Sequence, residues 1–153
     1  MTVLSPSKSS YMLDIAGLDL LHEQSRDWVS EIAFWRIEAN FFYSLIIKKT
    51  IKPVPLKAKS LLKKIENDLI SITINELDKL EQEINTHDKF LSYLLKNKNH
   101  QEETYRKKHR ELAQTFVHFE KRFKALKNEV FEIIELIATK KIENENLKLE
   151  EIY

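Results

Sequence analysis

Cysteine is absent from all 153 residues, which removes disulfides, thiolate metal sites and thiol nucleophiles together and fits a reducing compartment, so a cytoplasmic protein is expected. Glycine occurs once and proline three times. So few turn formers argue against a hairpin-rich sheet. One glycine also excludes a phosphate-cradling Walker loop, a dinucleotide fingerprint and a Gly-x-Ser-x-Gly nucleophile elbow. Long apolar runs are missing too. The longest stretch without a charge, Ala39–Ile47, falls far short of the roughly 18 to 20 residues a membrane helix needs, and Met1–Ala16 has no basic region followed by an apolar core. No membrane span is expected. Neither sign of charge dominates, with 25 Lys and Arg against 24 Asp and Glu, so net charge points to no polyanionic partner.

What is present is helix-forming material around periodic apolar positions. A 42% hydrophobic fraction with 10% aromatics is enough to fill one domain core. From Tyr105 to Ile137, the residues Tyr105, His109, Leu112, Phe116, Phe119, Phe123, Leu126, Val130, Ile133 and Ile137 recur at alternating spacings of four and three, a coiled-coil-like seam on one long helix. A second such seam is Leu21, Ser25, Trp28, Ile32, Trp35, Ala39, Phe42 and Ile46. Pro53 and Pro55 end its helix, because proline lacks an amide donor and disfavours helical geometry in the residue before it. A third set reads Leu62, Ile65, Leu69, Thr73, Leu77, Leu80, Ile84, His87, Leu91 and Leu94. Its four-then-four step through Thr73 breaks the heptad as a stutter would, in a β-branched run, Ile70 to Ile74, that is weak as helix.

The expected fold is all-α, an elongated antiparallel three-helix bundle with helices over about 18–50, 56–97 and 101–141. Residues 1–16 are read as a flexible leader and 143–153 as an acidic, frayed tail. Asp19 is a plausible N-cap for the first helix, and Asn99 with Glu102 has capping-box spacing for the third. Asn85-Thr86-His87-Asp88 resembles a cap, so helix two is expected to be open to a break near residues 85–88.

Three constellations bear on function. First, Phe34, Ile37, Phe41 and Leu45 form a second apolar row on helix one, away from its seam; such a helix is buried on two sides, by its own chain or by a partner. Second, facing residues of an antiparallel hairpin turning near residue 98 have numbers summing to about 196. That sets His87 against His109 and brings the start of helix one, with His22, to the same level. Three imidazoles suit Zn²⁺ or another transition metal, although a histidine in an apolar seam more often sets register as a hydrogen-bonded core residue. No Glu-x-x-His motif accompanies them. Third, Lys48, Lys49, Lys52, Lys57, Lys59, Lys63 and Lys64 follow one another without an intervening acid, with Lys140 and Lys141 expected at the same end. Such a cap can touch phosphate groups, although a solvated face is its ordinary meaning and no nucleic-acid module accompanies it.

No carboxylate pair stands out as an acid and base, so the expected function is non-enzymatic and without a cofactor. The chain is expected to act through helix-to-helix contacts with itself or another helical protein, using Phe34, Ile37, Phe41 and Leu45. The alternatives are a metal or small-ligand binder using His22, His87 and His109, and a polyanion binder using Lys57, Lys59, Lys63 and Lys64.

Overall fold

The computed structural model describes residues 17–97 and 101–152, with side chains through residue 139. The expected leader, the Asn99 cap and the side chains of Lys140 and Lys141 lie outside those residues. The protein is an all-α bundle of three helices, the second joined from pieces. In chain order these are α1 (Leu18–Thr50), α2 (Leu56–Ser71), a π-helical turn over Ile72–Glu76, α3 (Leu77–Asn97) and α4 (Glu102–Ile152).

Local chemistry sets the helix ends. The carbonyl of Gly17 accepts from the amides of Leu20 and Leu21 at 3.1 and 3.3 Å, so Asp19 is not the cap but an acid in the first turn, where it opposes the positive end of the helix dipole. At the start of α2, Pro55 holds an extended ψ of 145° and its carbonyl takes the Lys59 amide at 3.0 Å. Glu102 and Glu103 occupy the first turn of α4, and α4 runs on to Ile152, through the residues read from sequence as a frayed tail.

Of the two weak points read from the sequence of helix two, one is irregular and the other is not. Residues 85–88 lie inside an uninterrupted α3: His87 is drawn into the core rather than released to cap a new helix. The irregularity is instead the π turn at 72–76, where the heptad step fails. Ile72, not Thr73, takes the buried position, and the core then steps three residues from Leu69 to Ile72 and five from Ile72 to Leu77. A π turn accommodates the extra residue. The Thr73 hydroxyl bonds back to the Leu69 carbonyl at 2.9 Å.

The chain forms two compact units, each built from a segment of all three helices. One takes residues up to Arg36 with Glu76–Glu120, and the other takes Ile37–Asn75 with residues from Lys121 onward. In the first, Trp28 and Trp35 of α1 stack and tilt against Phe116 and Phe119 of α4, with ring centroids 4.7 to 5.7 Å apart, and Arg36 reaches Asp78 and Glu81 of α3 at 2.6 and 2.5 Å. In the second, the buried set is largely aliphatic: Ile46, Leu62, Ile65, Leu69, Ile72, Leu126, Val130 and Ile133, with Phe42 and Phe123. Lys127 of α4 closes its α1 side by pairing with Glu38 at 2.9 Å. All eight seam residues of α1 are buried, as are those of α4 from Tyr105 through Ile133.

Candidate functional site

Two features stand apart from ordinary packing. The first is a polar chain in the first unit. His87 of α3 and His109 of α4 are buried, at 3% and 0% exposure, and His87 Nε2 lies 2.9 Å from His109 Nδ1. His109 Nε2 lies 2.6 Å from Oε1 of Gln24 on α1. With that amide oxygen as acceptor, His109 carries its proton on Nε2 and accepts at Nδ1, so His87 donates from Nε2 and its Nδ1 holds a bare lone pair. The chain thus ties one residue from each of the three helices.

Aromatic rings hold the imidazoles in place. Tyr105 stacks on His87 at 4.1 Å with the planes 2° apart, and Trp28 stacks on His109 at 4.7 Å. Burial drives the pKa of both histidines down to about 4; Lys108 adds to this for His87, and His87 itself and Arg106 add to it for His109. Both imidazoles are therefore neutral at pH 7. Burial likewise pushes the Tyr105 hydroxyl up to about 12, reinforced by Asp88 and offset by Ser25 and Arg106. The Ser25 hydroxyl donates to the Leu21 carbonyl at 3.2 Å and forms no well-aligned bond with the phenol. His87 Nδ1, Asp88 Oδ1 and the Tyr105 hydroxyl are buried without a hydrogen bond to any described residue.

The pairing read from sequence is observed for His87 and His109, but His22 goes elsewhere. His22 is half exposed and lies 3.5 Å from Asp88 Oδ1, away from the two buried imidazoles. Among the described residues no group of three or more His, Cys, Asp or Glu is placed to hold a metal ion. The two buried imidazoles use their facing nitrogens on each other and on Gln24, the chemistry of a core tie. Periodicity missed Gln24 because it sits one residue before the seam position Ser25. Its only sequence signal is being polar at the edge of a stripe.

The second feature is the outer row of α1. Phe34, Ile37 and Phe41 are 59%, 66% and 62% exposed, and Leu45 is partly buried. Phe41 packs edge-on against Phe42, which in turn meets Phe131 of α4 edge-on at 5.4 Å. Phe131 is itself exposed, and the sequence reading missed it because it lies outside the α4 seam. Other exposed large apolar residues, such as Ile74 and Tyr93, lie on other helices, and scattered single side chains of that kind are ordinary.

The lysines of α2 are exposed but do not form a row of unopposed charge. Lys63 pairs with Glu66 at 3.3 Å, and Lys64 lies 3.6 and 3.8 Å from Asp68 and Glu129. On the helix, Lys57 and Lys64 share one stripe while Lys59 and Lys63 share another. Among the described residues no helix is long and apolar enough to cross a membrane. No family model, curated protein or solved structure matches the chain.

Proposed function

We propose that this chain is a non-enzymatic helical-bundle protein that works by offering the outer row of α1 to another helix, in the reducing setting its lack of cysteine suits. One observation carries the reading: Phe34, Ile37 and Phe41 stand at i, i+3 and i+7 on an unbroken helix and are each about three-fifths exposed, while the inner seam of that helix is fully covered. Burying a large apolar side chain contributes about 1.5 to 3 kcal/mol, so covering three that are mostly in water favours association. Rows of this spacing are what one amphipathic helix presents to another.

The test is partner-independent. With a photo-crosslinking side chain at Ile37, the protein in its own cells should trap a polypeptide, and the same group at exposed Glu111 of α4 should not. Absence of an adduct at Ile37 overturns the reading. Phe34→Glu with Phe41→Glu should abolish trapping while the chain still melts cooperatively, because both rings already face water; unfolding by this pair would make the row part of the chain's own core.

A further inference from the structure

We infer that the partner is a second copy of this chain, packed antiparallel along the outer stripe of α1. This deepens the proposal above and rests on it. The stripe extends in both directions beyond the three apolar residues. Glu23, Asp27, Ser30, Phe34, Ile37, Phe41, Ser44 and Lys48 follow one another at alternating spacings of four and three without a break, all on α1 and all exposed. The stripe keeps heptad register, but only its middle three residues are apolar, with charged and hydroxyl side chains on either side. Its flanks carry opposite charge: Glu23 and Asp27 lie two to three turns before Phe34, and Lys48 lies two turns after Phe41.

Orientation follows from that polarity. A parallel pair would set Asp27 against its own copy and Lys48 against its own, which is repulsive at both ends. An antiparallel pair centred near Ile37 sets each copy's Phe34 beside the other's Phe41 and each Asp27 beside the other's Lys48. A two-fold axis makes the second half of the contact identical to the first, so a stripe with an apolar middle and oppositely charged ends is complementary to itself only when reversed. The extent of the surface sets the strength. Three side chains about 60% exposed offer roughly 300 to 450 Å² of apolar area per copy, taking about 200 Å² for each whole side chain. With the charged flanks, two copies reach the low end of the roughly 1,200 to 2,000 Å² typical of specific interfaces. That suits micromolar, reversible association rather than a permanent dimer.

Absence of cysteine makes the geometry directly testable. Ser30→Cys and Ser44→Cys proteins should each stay unlinked when oxidised alone and form a mixed disulfide when combined. In sedimentation equilibrium the wild-type chain should be a dimer at hundreds of micromolar. Asp27→Lys should weaken that dimer several-fold, and adding Lys48→Glu to it should restore it, since the swap reverses both ends of the stripe. A disulfide in Ser30→Cys alone, or failure of the charge swap to restore the dimer, overturns the antiparallel assignment. A monomeric wild type that still yields an Ile37 adduct of a different polypeptide overturns self-association and leaves the general reading standing. A dimer that survives Phe34→Glu with Phe41→Glu overturns self-association through this stripe.

Discussion

The same three helices build two interiors of different kinds. In the unit that takes Glu76–Glu120, large rings surround a polar chain, His87 to His109 to Gln24, with Trp28 and Tyr105 stacked on the imidazoles. In the unit that takes Ile37–Asn75, the buried set is largely aliphatic, and among the described residues its one buried charged side chain, Glu66, meets the exposed Lys63. Apolar packing is non-directional and tolerates small shifts. A buried hydrogen-bonded chain is satisfied in one register only, because a helix slid by one residue leaves donors without acceptors. The first unit therefore specifies how three helices align, and the second mainly supplies buried area.

The largest expected effect breaks the aromatic interior. Trp35→Ala removes a ring that touches both Phe116 and Phe119 and should cost about 3 to 5 kcal/mol, whereas Ile65→Val, a one-methylene loss in the aliphatic interior, should cost about 0.5 to 1.5 kcal/mol. Urea titration of both variants checks this, and equal costs would erase the distinction between the two interiors.

Next in size is the polar chain. His109→Leu leaves His87 Nε2–H buried without an acceptor and should cost about 1 to 3 kcal/mol at pH 7. His87→Leu combined with His109→Leu should recover part of that loss, because no buried donor is then stranded. An additive double variant would mean the pair is packed rather than bonded.

Acidification sharpens the same contrast. Both histidines sit near pH 4 in the fold against 6.5 when free, so the unfolded chain binds protons that the folded chain refuses. The histidine contribution is constant above about pH 6.5, and stability falls as pH drops from there toward 4. The full shift is worth about 3 kcal/mol for one independent imidazole, and the coupled pair titrates together. Melting curves between pH 7 and 4 should show a steeper loss in the wild type than in the double leucine variant. Parallel slopes would sink this account.

The smallest effect concerns the π turn. Deleting the exposed Ile74 shortens the step from Ile72 to Leu77 to four residues and makes the core spacing three and four throughout, the pattern of an uninterrupted helix. The deletion should leave cooperative unfolding intact and shift the midpoint little. Loss of cooperativity would show that the fold requires the extra residue.

How far the chain could be read in advance depended on what each feature rests on. The seams of α1 and α4 were legible because burial repeats with helical period, and that period is written in residues such as Trp28, Ile32 and Trp35 or Phe116, Phe119 and Phe123. The facing of His87 and His109 was legible because a short turn between two helices fixes the sum of facing numbers. The exposed row of α1 stood out as apolar, yet whether its own chain covers it was not written in the pattern, since covering depends on where neighbouring helices lie. Gln24 and the Ile72-for-Thr73 exchange were likewise beyond the sequence.

By itself the sequence determined the helices, the inner faces of α1 and α4 and the all-α class, because those follow from local propensity and periodicity along one chain. Only the tertiary structure decided that His22 turns to Asp88, that Gln24 completes the histidine chain, that residues 85–88 stay helical while 72–76 do not, and that Phe34, Ile37 and Phe41 remain in water. Each of these depends on the distance and rotation between separate helices, and residue spacing within one helix carries no information about either.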